Sequence, residues 1–138
     1  MDALPAHVFI VEDDQLLASA LTAQVEMLGY RVAGIAHTAE DAVRGVLQAR
    51  PQVVIMDLRL TGFGTGLDAA RSIRQNLEVP IIFYTAHSDR ALREEVATMG
   101  NAQLLQKPAQ EQTLLAAISG VLRWARATPD ESRLNHPP

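Results

Sequence analysis

Cysteine is absent from the 138-residue sequence, and aromatic residues make up only 4% of it. The lack of cysteine excludes disulfides, thiolate metal sites and thiol catalysis. Basic residues are also few, with 12 Lys and Arg against 16 Asp and Glu, so the formal net charge is -4. Such a chain has little to attract nucleic-acid phosphates, and direct nucleic-acid binding is not expected.

Long apolar runs are missing as well, so no segment is expected to cross a membrane. Residues 1–5 lack the basic start and apolar core of a signal peptide, which makes a cytoplasmic location the expectation. The apolar fraction is nevertheless 48%, enough for an aliphatic core in one domain. Residues 1–126 are expected to form that domain, and 127–138 a flexible C-terminal tail rich in proline.

Short apolar runs rich in β-branched residues predict strands. They lie at residues 7–11, 31–36, 53–56, 80–84 and 102–105. Apolar stripes at helical spacing follow each run, and the third comprises Leu67, Ala70, Ile73 and Leu77. This alternation predicts an α/β fold, a five-stranded parallel doubly wound sheet in the flavodoxin-like order 2-1-3-4-5 with five helices.

Helix caps and packing residues can be assigned in the same way. Asp14, Thr38 and Ser88 are expected to cap the first, second and fourth helices. Trp124 is interpreted as a packing anchor, and His37 and His87 as surface residues. Gly45 lies inside the second helical pattern, where it costs about 1 kcal/mol relative to Ala.

Polar residues follow four of the five predicted strands. They are Glu12-Asp13-Asp14 after the first, Asp57 after the third, Thr85 after the fourth and Lys107-Pro108 after the fifth. The carboxyl ends of parallel strands meet at one edge of a sheet, where ligands bind. Clustered carboxylates repel unless a cation intervenes, and hard oxygen ligands suit Mg²⁺. Lys and Thr side chains can bind phosphoryl oxygens, and a carboxylate can be the nucleophile. The set predicts a Mg²⁺-dependent aspartyl phosphorylation site.

Four segments also resemble the signature of the receiver domain of bacterial two-component response regulators. They are Val11–Asp14, Met56–Leu58, Tyr84–Ala86 and Gln106–Pro108, and the resemblance covers about residues 6–126. It implies that Asp57 accepts a phosphoryl group from a sensor histidine kinase or a histidine phosphotransfer protein. It further implies that Thr85 and Lys107 contact that group.

The same resemblance implies a metal site and several supporting roles. Mg²⁺ would be held by Asp13, Asp57, the backbone carbonyl of Arg59 and, through water, Glu12. Lys107-Pro108 would be a cis peptide. Arg59 and His87 would modulate the rate of dephosphorylation, and a long cation at position 59 is expected to slow it.

The chain departs from the family pattern at positions that bear on signalling. Leu104 stands where many receivers have the aromatic switch residue, and Ala109 where Phe is frequent. Thr61 replaces a common proline, and the loop that follows contains one extra residue. The glycines of residues 62–66 follow the third strand rather than the first, which argues against a nucleotide-binding loop.

Three functions stay open on these grounds. The favoured one is a single-domain response regulator that signals by phosphorylation-dependent contact with an unknown downstream protein, or by dimerisation through the face of helix 4, strand 5 and helix 5. The second is an interaction module of the same fold that acts without phosphorylation. The third, a small phosphoryl-transfer enzyme, lacks a visible phosphate loop or second acid-base pair. Catalysis beyond the domain's own phosphorylation and dephosphorylation is not expected.

Overall fold

The computed structural model describes residues 5–61 and 64–127, and for residues 124–127 it describes the backbone alone. The side chain of Trp124 and residues 128–138 lie outside this part, so the anchor and the tail stay predictions. The strands are β1 (His7–Val11), β2 (Arg31–Ala36), β3 (Val53–Met56), β4 (Ile81–Thr85) and β5 (Ala102–Gln106). The helices are α1 (Gln15–Met27), α2 (Ala39–Ala49), α3 (Gly66–Arg74), α4 (Arg90–Thr98) and α5 (Glu111–Ala127). Among the described residues, no helix combines the length and apolarity needed to span a bilayer.

The five strands form one parallel sheet in the order β2-β1-β3-β4-β5, which confirms the predicted topology. Every residue of β3 and β4 is buried, as expected of strands covered by helices on both faces. Residues of α2, α3 and α4 pack on one face with Phe83 and Leu104, whereas residues of α1 and α5 pack on the other face with Tyr84 and Leu105.

Helix caps place the polar segments that surround the carboxyl edge of the sheet. The Asp14 carboxylate accepts from the backbone N–H of Leu17 at 3.1 Å, and Thr38 caps α2 as expected. The prediction for α4 was wrong by one residue. Asp89, not Ser88, is its N-cap, because the Asp89 carboxylate accepts from Leu92 N–H at 2.8 Å.

Phe9 explains two glycines that helix and strand propensities disfavour. Its ring lies between β2 and α2, where a Cβ atom would come within 2.6 Å of the ring at Gly34 and within 2.5 Å at Gly45. The pairing of β1 with β2 also shifts here, since Val8 pairs with Val32 and Phe9 with Gly34. The propensity cost of Gly45 in α2 is therefore offset by the burial of an aromatic ring.

Candidate functional site

The carboxyl edge of the sheet brings together the acidic residues that follow β1 and β3. Glu12 is 3% exposed and Asp57 is 8% exposed, so both carboxylates are largely removed from water. Their main chains are fixed by the sheet itself, because Asp57 N–H donates to the Val11 carbonyl at 3.0 Å and Glu12 N–H to the Ala36 carbonyl at 3.0 Å. The two side chains thus emerge from adjacent strands at the same level.

Lys107, which follows β5, reaches across this edge to both acids. Its Nζ donates to Asp57 Oδ2 at 2.9 Å and also to Glu12 Oε1. Burial by itself lowers the pKa of the Lys107 ammonium, but the hydrogen bonds and charges of Asp57 and Glu12 outweigh burial and raise that pKa. The side chain therefore stays a cation and offsets part of the repulsion between the two carboxylates.

Burial acts in the opposite direction on Glu12. It raises the pKa of that carboxyl, while the hydrogen bond from Lys107 opposes the rise. Burial therefore makes the ionised form of Glu12 unfavourable in free energy, and an additional cation beside the carboxylate would make that form more favourable. Glu12 also accepts the backbone N–H of Asp14 at 3.1 Å, which ties the carboxylate to the start of α1.

Asp13 completes a cluster of three carboxylates. One oxygen each of Glu12, Asp13 and Asp57 lies within 4.8 Å of the other two. Among the described residues, the ammonium paired with this cluster is that of Lys107, which contacts Glu12 and Asp57, and the three clustered ligand atoms are carboxylate oxygens. This donor set fits Mg²⁺, which binds a few carboxylates and keeps several water ligands.

Thr85 ends β4 beside this cluster and is fully buried. Its hydroxyl donates to the His87 carbonyl and accepts from the His87 N–H, both at 3.3 Å. For Thr85 to donate to a phosphoryl oxygen, this hydroxyl has to release the carbonyl of His87. The side chain of His87 itself is exposed at the rim.

The segment after Asp57 lies close to the start of α3. The exposed Arg59 donates its backbone N–H to Asp57 Oδ1 at 3.1 Å, so the two carboxylate oxygens have different partners. Gly66 donates to the Leu58 carbonyl at 2.9 Å, and a Cβ at this position would collide with the Asp57 carbonyl. The close approach of two backbones therefore requires a glycine at position 66.

The sequence interpretation of His37 as a surface residue was incomplete. Its ring is half-buried, and Nδ1 donates to the backbone carbonyl of Glu12 at 2.8 Å. The preceding strand β2 ends at Ala36, beside β1, which brings His37 to the same edge as Glu12. The position of His37 directly after a strand was the available signal.

Positions 84, 104 and 109 differ in where they place their side chains. Leu104 is half-buried on the α2–α4 face of the sheet, whereas Tyr84 and Ala109 lie on the α1 and α5 face. The Tyr84 hydroxyl accepts from Ala109 N–H at 2.9 Å, and Lys107 Nζ lies 5.7 Å from the centroid of the Tyr84 ring. The Lys107-Pro108 peptide bond, directly before Ala109, is cis.

Comparison with known proteins identifies a matching family. The family model described as the response regulator receiver domain matches residues 8–119. The chain is 37% identical over 120 residues to the phyllosphere-induced regulator PhyR of Methylorubrum extorquens, covering 86% of this chain and 44% of that protein. Together with the response regulator UvrY of Escherichia coli K12, of which it covers 56%, the chain spans about half the length of the curated relatives it matches.

Solved structures give the same result. The signal receiver domain of a modulated diguanylate cyclase from Desulfovibrio desulfuricans G20 superposes with a TM-score of 0.81 at 32% identity, covering 89% of this chain and 98% of that one. The anti-anti-sigma factor PhyR from Bartonella quintana gives a TM-score of 0.77 at 30% identity, over 95% of this chain and 53% of that one.

Proposed function

The chain belongs to the response regulator receiver domain family, and on that premise we propose that Asp57 accepts a phosphoryl group and that the protein signals by phosphorylation-dependent contact with other proteins. The donor is a phosphohistidine of a sensor histidine kinase or of a histidine phosphotransfer protein. The observation that carries the proposal is the Lys107 ammonium, which bridges the buried Glu12 and Asp57 carboxylates beside Asp13.

The transfer follows from this arrangement. A carboxylate oxygen of Asp57 attacks phosphorus, the P–N bond of the phosphohistidine breaks, and the leaving imidazole nitrogen takes a proton from water. The Lys107 ammonium, already beside Asp57 Oδ2, offsets the charge on the transferred oxygens. Thr85, once its hydroxyl leaves the His87 carbonyl, donates a further hydrogen bond to one of them.

The three-carboxylate cluster supports a divalent metal as the cofactor. Asp13 and Asp57 would hold Mg²⁺, with Glu12 acting through water and Arg59 contributing its backbone carbonyl. The ion supplies positive charge that lowers the repulsion between the carboxylates and an incoming phosphoryl dianion. In the described part of the chain, the Lys107 ammonium pairs with Glu12 and Asp57 but not with Asp13, so a metal ion would add positive charge where the third carboxylate lies.

The lifetime of the acyl phosphate is assigned to two exposed residues at the rim. Arg59 lies two residues after Asp57, and its N–H is hydrogen-bonded to that carboxylate, so its long side chain starts beside the acceptor. His87 is tied to Thr85 in the same way. Arg59→Ala should speed hydrolysis of phosphorylated protein, and an unchanged rate would refute the role of Arg59.

The output is a changed affinity for another protein. The downstream protein is unspecified, and dimerisation through the α4-β5-α5 face is one form that the output can take. An alternative function, a receiver-fold interaction module that acts without phosphorylation, is favoured by one observation. Leu104 packs with the apolar core and carries no aromatic ring or hydroxyl that could follow the movement of Thr85.

The decisive experiment is a titration with beryllium fluoride, an aspartyl phosphate mimic, followed by backbone amide shifts with and without Mg²⁺. The proposal expects a Mg²⁺-dependent response at residues around Asp57, Thr85 and Lys107, and its loss in Asp57→Asn. Asp41→Asn is the matched control, because Asp41 is an exposed acid of α2 paired with Arg44. No Mg²⁺-dependent response in the unaltered protein would favour the phosphorylation-independent module, and turnover of a diffusible phosphoester would favour an enzyme.

A further inference from the structure

Tyr84 is a buried aromatic residue that the acceptor chemistry does not use. It immediately precedes Thr85 in β4 and is 8% exposed. Because successive strand residues point to opposite faces, Tyr84 lies with Leu114 and Ala117 of α5, on the face opposite Leu104. The aromatic ring of Tyr84, which immediately precedes Thr85, therefore lies toward α1 and α5, away from α4.

The hydroxyl of Tyr84 holds the segment that joins β5 to α5. It accepts the backbone N–H of Ala109 at 2.9 Å, and Ala109 lies two residues after Lys107. The half-buried Ala109 precedes α5, whose first residue is Glu111. A phenylalanine would fill the same volume without accepting this N–H, so packing alone does not explain the hydroxyl.

The ring of Tyr84 supports the Lys107 ammonium. Lys107 Nζ lies 5.7 Å from the ring centroid, within the range of a cation–π contact, while it also donates to Asp57 and Glu12. One aromatic side chain thus touches both ends of the Lys107–Ala109 segment. At one end it meets the charged group of the acceptor site, and at the other the backbone that leads into α5.

Space is available for this segment to move. A cavity of about 140 Å³ lies between α1 and the β5–α5 segment, next to the acceptor site. Leu17, Leu21, Tyr84 and Lys107 line it, and most of its surface is apolar. When a phosphoryl group occupies Asp57, the Lys107 ammonium has to shift from the carboxylates toward the phosphoryl oxygens.

We propose that Tyr84 is a positioning residue that aligns Lys107 through its ring and transmits the shift of Lys107 to the start of α5 through its hydroxyl. The inference rests on the proposed function, because the shift requires a phosphoryl group on Asp57. In this proposal, phosphorylation changes the β5–α5 segment and the adjacent face of α1. These elements take the part of the aromatic switch residue, which is replaced by Leu104 in this chain. The two halves of the side chain have separate roles and can be separated by substitution.

The test compares Tyr84→Phe, Tyr84→Leu and the unaltered protein in beryllium fluoride titrations with Mg²⁺, monitored at the Ala109 amide. Tyr84→Phe keeps the ring, so its affinity for the mimic should stay within about twofold while the Ala109 shift falls by at least half. Tyr84→Leu also removes the ring, and its affinity should weaken by about two- to fivefold. Tyr30→Phe is the control, because Tyr30 packs in the same layer.

The outcomes are distinguishable. If the unaltered protein fails to respond, the proposed function and this inference fall together. If it responds and Tyr84→Phe gives an unchanged Ala109 shift, only the role of Tyr84 is overturned. An equal loss in Tyr30→Phe would also overturn it, since the loss would then not be specific to the Tyr84 hydroxyl. Should Tyr84→Leu fail to fold, Tyr84→Phe alone still decides the role of the hydroxyl.

Discussion

A side chain at position 66 would collide with the backbone of the acceptor residue. Gly66 opens α3 directly beside the Asp57 carbonyl, and a Cβ there would also lie 2.9 Å from the Cα of Leu58. Gly66→Ala must therefore displace either α3 or the segment that carries Asp57. We expect a loss of about 1–3 kcal/mol in the free energy of unfolding, together with a weaker Mg²⁺-dependent response to beryllium fluoride.

Gly120 provides the matched control for that substitution. It lies inside α5, where an added Cβ would have no neighbour within 4 Å among the described residues beyond the helix's own backbone. Gly120→Ala should therefore stabilise the protein by up to about 1 kcal/mol. Denaturant unfolding of both variants measures the contrast. Equal effects of the two substitutions would show that close backbone contact at Gly66 is unimportant.

Single residues were predictable where a strand pattern determined their position. Glu12, Asp57 and Lys107 each follow an apolar run, and the parallel order brings those ends to one edge. The position of His37 after β2 indicates that it lies at this edge, but its partner was not predictable, because the partner is a backbone carbonyl, which every residue has. The same holds for the hydrogen bond from Ala109 to Tyr84, which links the ends of two strands.

At the scale of the element, the first turn of α3 depends on one carboxylate. Thr65 and Asp68 form a reciprocal capping box, in which Asp68 accepts the Thr65 N–H at 2.9 Å. This backbone hydrogen bond, with the one from the Thr65 hydroxyl, lowers the pKa of Asp68 below 3.8. The ionised Asp68 carboxylate therefore stabilises the native state above pH 3.8, and this stabilisation is lost as the pH falls through the pKa of Asp68 in the folded protein.

Asp68→Asn should thus unfold at a lower denaturant concentration than the unaltered protein at pH 7. The difference should narrow as the pH falls below 3.8, where Asp68 becomes protonated in the native protein as well. Denaturation midpoints measured from pH 7 to the acid limit of folding test this. A gap that stays constant over the whole range would contradict the ionic contribution of Asp68.

The end of α3 is joined to the turn between α4 and β5 by Arg74. Its half-buried guanidinium donates to the carbonyls of Val79, Gly100 and Asn101 at 2.8, 2.9 and 2.7 Å. Arg74→Ala leaves these acceptors without the charged donor, so we expect a loss of about 1.5–3 kcal/mol in the free energy of unfolding.

Arg71 gives the comparison within the same helix. It is exposed and pairs with Glu95 of α4 at 2.9 Å, so Arg71→Ala should cost about 0–1 kcal/mol. Thermal or denaturant unfolding distinguishes the two arginines. If the losses were equal, burial of the Arg74 contacts would have no energetic consequence.

The positions of helices were predictable, but their ends were less so. Apolar stripes identified all five helices, yet α3 ends at Arg74 with Gln75 as its C-cap, before the predicted stripe residue Leu77. At α4, both Ser88 and Asp89 can cap a helix, and the choice of Asp89 depends on backbone geometry. Adjacent residues of similar capping strength compete locally, which a sequence pattern does not resolve.

At the scale of the whole molecule, the sheet order was predictable because strand–helix alternation and right-handed crossovers leave few arrangements. The same order brings Asp57 beside Glu12 and Asp13, from which it is distant in the unfolded chain, and so forms one site of three carboxylates. A cation that binds this site therefore stabilises the native state. Mg²⁺ should raise the Tm, with a gain of about 2.7 kcal/mol at a concentration 100 times its Kd.

The comparison variant for the metal effect is Asp13→Asn, which removes one carboxylate of the cluster. Its Tm should respond less to Mg²⁺, whereas Asp41→Asn on the surface of α2 should respond like the unaltered protein. Calorimetry at constant ionic strength separates binding from general screening. Equal responses of all three proteins would place the cation elsewhere.

The Phe9 ring limits which combinations of substitutions the fold can accept. Gly34 and Gly45 leave room for it on two different elements, so β1, β2 and α2 share a single volume. In relatives of this chain, a smaller residue at position 9 should accompany larger ones at 34 and 45, and a lone change at any of the three should be rare. Positions 9, 34 and 45 would then change together as related sequences diverge, although they span 37 positions of the chain.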